Sequence, residues 1–230
     1  MEILFEDNHI IVVSKPQGVP SQEDASGDKD MLTMVKEYIK EKYNKPGNVF
    51  VGLVHRLDRP TGGVMVFAKN SKSAARLTKQ IEEGTFDKTY FAICHGNLPS
   101  SHGMLVNYLK KDEKQNKVAI VPQTEEGAKR AELEYHLLAK EQGLNLVKIK
   151  LMTGRSHQIR VQMANVKCPL VGDNKYGKGE KVMLNLFAVE LSFLHPTTGQ
   201  KMVFRAYPPE DAMAWKLFNL EKYLNLNITN

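Results

Sequence analysis

The apolar residues of this chain fall mainly into short runs broken by turn-forming residues, and only a few stretches carry helical spacing. Residues 2–6 and 10–14 are rich in apolar side chains on either side of Asp7-Asn8, and they predict a hairpin. Lys15-Pro16-Gln17-Gly18-Val19-Pro20 then excludes regular structure through two prolines and a glycine. From Asp30 to about Tyr43, the residues Leu32, Val35, Ile39 and Tyr43 recur at helical spacing, and Pro46-Gly47 closes the helix. The β-branched and apolar stretch 49–54 predicts a buried strand, and 64–68 the strand that follows it.

Asn70 or Ser71 can cap a helix running through Glu83, with Ala74, Leu77 and Ile81 inward and Gly84 as the stop. Residues 86–95 predict a strand containing Tyr90, and further strands are expected near 103–109, 117–121, 129–139 and 144–152. Ser156 to about Val166 has a helical pattern with Ile159 and Met163 facing in. Residues 182–194 predict a long strand, paired with 201–206 across Pro196-Thr197-Thr198-Gly199, before a closing helix over about 209–224. Strands outnumber helices and follow one another as hairpins. That succession predicts an α+β fold with a mostly antiparallel sheet, not a Rossmann-type alternation. Neither a repeat nor a long linker interrupts it, so residues 1–230 are expected to form a single catalytic-size domain.

Composition narrows the class. A hydrophobic fraction of 42% and a charged fraction of 25% are those of an ordinary water-soluble domain. No apolar run approaches the ~20 residues of a membrane helix. The start Met1-Glu2-Ile3-Leu4-Phe5-Glu6 lacks the basic opening of a secretory signal. Cys94 and Cys168 show no CxxC spacing, which predicts reduced thiols and a cytoplasmic protein. Lysine and arginine number 32 against 26 acids, a net charge of +6 that favours a polyanionic partner without identifying one.

Candidate chemistry concentrates in two clusters. The first is His55-Arg56-Leu57-Asp58-Arg59-Pro60-Thr61-Gly62-Gly63, a carboxylate among arginines on a Pro/Gly turn. The second is Gly154-Arg155-Ser156-His157-Gln158-Ile159-Arg160. A carboxylate anchored near a core stays ionised only with cationic or hydrogen-bonding partners, and arginine is the partner that keeps its proton. Arg56, Arg59 and Arg155 are candidates. Such an Asp58 is either a structural ion pair fixing the turn or an available oxyanion, suited to act as nucleophile or to stabilise a cationic sugar centre. A metal at His55 and Asp58 is disfavoured, because further ligands are lacking and the arginines would repel a cation. Gly62-Gly63 belongs to no phosphate-loop pattern and predicts a tight turn between strands; GxSxG and HExxH are absent. Tyr90 is either a core aromatic or a stacking platform. Arg155 and Arg160 flank a helix start, where an anion is welcome, although a solvated arginine near a cap accounts equally for Arg160.

Taken together, these segments resemble the RluA-type pseudouridine synthases. His55-Arg56-Leu57-Asp58-x-x-Thr61-x-Gly63 is similar to the family's signature, Lys88-Thr89-Tyr90-x-Ala92 to its second motif, and Leu151–Arg160 to its third. The opening Ile10–Val13 with Lys15-Pro16-x-Gly18 matches too, as do His195-Pro196, Phe204 and Tyr207-Pro208 near the close. The likeness covers nearly the whole chain, in the family's order. Two departures stand out. Gly62 replaces the serine of many members and loses a hydroxyl, and the chain is expected to be a short form without the N-terminal S4-like RNA-binding module of many relatives.

The resemblance implies a pseudouridine synthase catalytic fold: a mostly antiparallel mixed sheet flanked by helices and loops, with a central cleft. It implies isomerisation of uridine in ribosomal or transfer RNA to pseudouridine without metal or cofactor, by a monomer that makes no membrane contact. On it, Asp58 is the catalytic carboxylate, Tyr90 the stacking tyrosine and Arg155 the basic partner of Asp58. Arg56 is the arginine that enters the RNA stack vacated by the target base, and His55, Arg59 and Arg160 are expected on the RNA-binding side. The alternatives are a non-catalytic RNA-binding protein on the same fold and an unrelated RNA or nucleotide hydrolase. The three intact chemical groups argue against the first, and the missing metal and phosphate motifs against the second.

Overall fold

The computed structural model describes residues 1–209 and 214–224. In chain order its elements are β1 (Glu2–Glu6), β2 (Ile10–Lys15), α1 (Met31–Lys42), β3 (Gly52–Leu53), β4 (Gly62–Ala68), α2 (Ser71–Glu82), β5 (Asp87–Cys94), β6 (His102–Asp112), β7 (Lys117–Val121), β8 (Lys129–Glu141), β9 (Leu144–Leu151), α3 (Gln158–Asn165), β10 (Leu186–Leu194), β11 (Lys201–Arg205), a 3-10 turn (Trp215–Leu217) and α4 (Leu220–Leu224). Two compact units divide the chain. The first comprises Met1–Lys88 and Glu190–Ala206; the second comprises Thr89–Val189 and the segment from Tyr207 onward. The chain therefore changes unit within β5 and again within β10.

The first unit is built on β2 and β4. Their antiparallel register runs from Ile10 opposite Ala68 to Lys15 opposite Gly63, and Ile10–Val13 and Val64–Ala68 are almost wholly buried. A strand buried on both faces reads as a continuous apolar run, which is why these two were legible without alternation. The Asp7-Asn8 turn joins β1 to β2 as expected, with Asp7 Oδ1 accepting the His9 and Ile10 amides. Helices α1 and α2 begin where their caps predict: Asp30 accepts the Thr33 amide and Asn70 the Ser73 amide. Stacking of Phe86 on Phe193 and of Phe193 on Phe204 carries the core toward β11.

The second unit is a sheet in which β8 pairs antiparallel with both β6 and β9, and β6 with β7. Leu133, Tyr135 and Ile149 fill one face. Helix α3 packs near it through Val161, which clusters with Leu109, Val118 and Ala131.

Several predicted elements change. Within 49–54 only Gly52 and Leu53 find ladder partners, and Phe50 is half exposed, so an apolar loop had the composition of a strand. The tight turn lies at Asp58–Thr61, closed by the Thr61 amide on the Asp58 carbonyl at 2.9 Å. Gly62-Gly63 instead open β4, and the φ of +123° at Gly63 is one that a side chain rarely adopts. Helix α3 starts at Gln158, not Ser156, because the Gln158 side chain holds residues 153–155 as a loop: its Oε1 accepts from the Thr153 hydroxyl and the Arg155 amide. The long strand predicted from Val182 begins at Leu186. The expected closing helix is a short turn followed by α4 within the described residues, and residues 210–213 of that expectation lie outside them.

Candidate active site

Asp58 lies in the irregular segment between β3 and β4, partly buried, directly after the buried Leu57. What holds it is the segment 15–21, which sequence patterning identified only as irregular. The Ser21 hydroxyl donates to the Leu57 carbonyl at 2.7 Å and accepts the Leu57 amide at 3.1 Å. Gln17 donates to the Pro60 carbonyl at 2.9 Å, and the Gly18 amide to the Arg59 carbonyl at 2.9 Å. The backbone immediately before and after Asp58 is thus pinned from one distant stretch of chain.

Lys15 is the centre of this brace. It ends β2 with no solvent exposure, and its ammonium donates to the carbonyls of Pro16 (3.0 Å), Val19 (2.6 Å) and Arg59 (3.1 Å). Burial pulls its pKa down to about 7; the Asp58 carboxylate opposes that fall and the Arg59 guanidinium adds to it. Three carbonyl acceptors can all be met only by the protonated amine, so the geometry also acts on the side of the charged form. A cation facing Asp58 within its own unit is therefore Lys15, a residue assigned no role from residue chemistry. Its signal was a lysine at the end of an otherwise apolar strand, in the stretch that matched the family opening.

The two neighbours expected to meet RNA are placed differently. The His55 ring is turned inward: Nε2 accepts the Val66 amide at 3.1 Å, and the ring meets Phe86 edge-on at 5.3 Å. Burial, reinforced by the Lys88 charge, pushes its pKa down to about 3. A neutral, enclosed imidazole offers no charge to a phosphate, so His55 is a strut for β4. Arg59 is exposed, but its Nε donates to the Gly18 carbonyl and its guanidinium pairs with Asp28 and, at 3.8 Å, with Asp24. It too is engaged within the loop. Arg56 is exposed.

The remaining predicted residues lie in the second unit. Tyr90, on β5, is 5% exposed. Arg155 is exposed; its Nε donates to the Arg130 carbonyl at 2.9 Å. Arg160 departs most from expectation. Its side chain is 5% exposed and makes a double hydrogen bond to Asp173, Nε to Oδ2 at 2.8 Å and Nη2 to Oδ1 at 2.7 Å. Burial works against the ionised Asp173, but Arg160 and the Lys175 and Tyr176 amides hold its pKa below the usual value. A buried fork-on-carboxylate pair is an internal tie, not a hand for RNA. Tyr176 extends the tie: its hydroxyl accepts the Val118 amide and bonds to His157 Nδ1, each at 2.8 Å. Among the described residues, no group of three His, Cys, Asp or Glu side chains could hold a metal ion.

This combination, an α+β sheet fold with a braced aspartate loop and an arginine-bearing loop ahead of a short helix, agrees with what known proteins show. A family model for RNA pseudouridylate synthases matches residues 9–165. An RNA pseudouridine synthase of Bacillus subtilis, YhcT, is 34% identical over 92% of this chain and 70% of its own length. The ribosomal large subunit pseudouridine synthase D of Zymomonas mobilis is 32% identical over 92% of this chain and 70% of its own. The solved structure of human RNA pseudouridylate synthase domain containing 4 shares the fold, with a TM-score of 0.76 at 22% identity over 92% of this chain and 90% of that one. The chain belongs to the RNA pseudouridylate synthase family, in its RluA-type branch, and is an isomerase acting on RNA.

Proposed function

We propose that the protein converts uridine in ribosomal RNA to pseudouridine with Asp58 as the catalytic carboxylate. The observation that carries this reading is the construction around Asp58. A partly buried carboxylate on a loop pinned at Leu57, Arg59 and Pro60, close enough to a buried lysine to act on its charge, is held in a fixed place by the surrounding chain. Relatives named for the large ribosomal subunit favour ribosomal RNA as the substrate class.

In this reading the target uridine leaves its stack, at a cost of a few kcal/mol that is smallest in loops and bulges. In the roles the family resemblance implies, Tyr90 stacks on the extruded uracil, Arg155 supplies a positive charge, and Arg56 occupies the space the base has left. Asp58 promotes cleavage of the C1′–N1 bond, the uracil turns, C5 bonds to C1′, and the C5 proton is lost as N1 takes one up. Atoms balance without any cofactor, since the product is an isomer of the substrate.

The test is Asp58→Asn assayed on transcribed ribosomal RNA. Pseudouridine formation is expected to vanish while RNA affinity stays within about threefold, because the substitution keeps size and removes only the charge. A variant that still forms pseudouridine overturns the assignment.

A further inference from the structure

The lysines enclosed in the first unit differ in what they donate to. Lys15 is held on three carbonyls, as described above. Lys69, whose side chain is 9% exposed, pairs with Glu6 at 2.7 Å and donates to the Asp7 carbonyl at 2.6 Å. Lys88 is built otherwise. It lies half-buried on β5, and among the described residues no carbonyl or carboxylate oxygen accepts from its ammonium. What Nζ meets is the ring of Phe86, 6.0 Å from the centroid, at the outer limit of a cation–π contact. Burial pushes the pKa of Lys88 down, and no carboxylate opposes the fall as Asp58 does for Lys15.

A second donor without an acceptor stands against the same ring. His55 packs edge-on to Phe86 at 5.3 Å, and its Nε2 accepts the Val66 amide. The hydrogen of this neutral imidazole is therefore on Nδ1, which is enclosed and has no partner among the described residues. The two side chains are close enough for the Lys88 charge to act on the imidazole. Enclosed polar groups are normally bonded, and a cation drawn out of water normally has a counter-ion. Two unsatisfied donors around one ring, one of them charged, suit an anion with more than one free oxygen. His55 stands three positions before Asp58, so an anion bound there lies beside the loop of the candidate catalytic carboxylate. In a protein whose family acts on RNA, the anion that fits is a phosphodiester, which presents two unesterified oxygens at every linkage.

We propose that Lys88 is a substrate-binding residue, its ammonium holding a phosphodiester of the RNA beside the Asp58 loop, with the His55 Nδ1–H as the second donor. The proposal rests on the reading of ribosomal RNA as substrate, and its test needs binding alone. The probe is transcribed large-subunit ribosomal RNA, retained on filters across a salt series, with urea denaturation of each variant alongside. Lys88→Met is expected to weaken binding about tenfold, the equivalent of one charge-assisted hydrogen bond, and to reduce the salt slope by about one. Its urea midpoint is expected to equal or exceed that of the wild type, because an apolar side chain of similar length replaces a desolvated, unpaired charge. Lys88→Arg, which keeps the charge, is expected to keep the slope and to hold affinity within about threefold.

Unchanged affinity and slope in Lys88→Met overturn the proposal, for then the ammonium only reaches water along its apolar stem. A fall in the urea midpoint of Lys88→Met overturns it as well, because the side chain is then a tie within the fold and not a hand for a ligand. A wild-type protein that binds this RNA without forming pseudouridine would instead sink the catalytic reading and leave the Lys88 result standing.

Discussion

The loops that carry Asp58 and Arg155 are built on opposite plans. The Asp58 loop is held by neutral acceptors: its carbonyls receive Lys15, Gln17, Gly18 and Ser21 from a segment some forty positions earlier in the chain. The Arg155 loop is tied to strand β8: Thr153 Oγ1 accepts the Glu132 amide, Gln158 Nε2 donates to the Glu132 carbonyl and Arg155 Nε to the Arg130 carbonyl. Gln158 also takes the Arg155 amide, and the Arg160–Asp173 ion pair fixes the helix that follows. One loop is knotted around a buried lysine, the other is laced to a neighbouring strand and backed by a buried charge pair. The difference teaches how to sort the arginines of such motifs. Beside each loop one arginine pairs with acids of its own unit, the exposed Arg59 with Asp24 and Asp28 and the buried Arg160 with Asp173, while Arg56 and Arg155 are exposed, Arg155 with its Nε on the Arg130 carbonyl.

The largest effect is expected from breaking the charge pair. Arg160→Met removes one partner and leaves Asp173 buried without its counter-ion, a loss of about 3–5 kcal/mol in unfolding free energy. Urea denaturation measures it. Arg160→Met combined with Asp173→Leu should recover most of the loss, since replacing both partners avoids the stranded charge. A single variant within about 1 kcal/mol of wild type would show that the second loop does not depend on its pair.

Next comes the lysine knot. Lys15→Met deprives three carbonyls of a donor and Asp58 of a facing cation, with an expected loss of about 2–3 kcal/mol and at least a tenfold fall in turnover. A pH signature identifies the cause. Lys15 has a folded pKa of about 7 against 10.5 in a free lysine, so between these values the unfolded chain binds the extra proton. Its contribution to stability therefore rises from pH 7 to 10.5 and is flat below 7. The slope should disappear in Lys15→Met. Parallel pH–stability curves for the two proteins would refute the assignment.

Acid should then separate the two plans within one molecule. The lowered pKa of Asp173 stabilises the second loop above the ordinary carboxylate value of 3.8, and this contribution is lost as pH falls through the folded value. The protection factors of the Lys175 and Tyr176 amides, both bonded to Asp173, are expected to fall about tenfold more on acidification than that of Leu57, whose amide rests on the Ser21 hydroxyl. An equal fall at the two places would mean that both open with the whole molecule.

The same contrast explains what could be read in advance. Strands β2 and β4 were plain because burial on both faces makes a continuous apolar run, and α1 and α2 because their caps and spacing agree. Asp58, Arg155 and Tyr90 stood out through the order of three motifs, not through any property of each residue alone. Residue chemistry gave Lys15 no role, since its partners are backbone carbonyls and a carbonyl has no letter in a sequence. His55 and Arg160 were read as RNA-facing because local spacing says nothing of which way a side chain turns. Their partners, the Val66 amide and the Asp173 carboxylate, lie eleven and thirteen positions away.

The smallest effect is expected at Arg59, and it bears most directly on how the exposed and engaged arginines divide. Its guanidinium meets Asp24 and Asp28 in water, where side-chain entropy and screening offset nearly all of the attraction, and its Nε bond to the Gly18 carbonyl duplicates a contact the Gly18 amide already makes with the Arg59 carbonyl. Arg59→Ala should therefore keep the wild-type denaturation midpoint within scatter and keep turnover within about twofold, whereas Arg56→Ala should weaken turnover about tenfold with no change in stability. Both are measured by single-turnover pseudouridine formation beside urea denaturation. If Arg59→Ala lost as much turnover as Arg56→Ala, the acidic turn at 24–28 would have to release Arg59 when RNA arrives, and the first loop would carry two RNA-facing arginines instead of one.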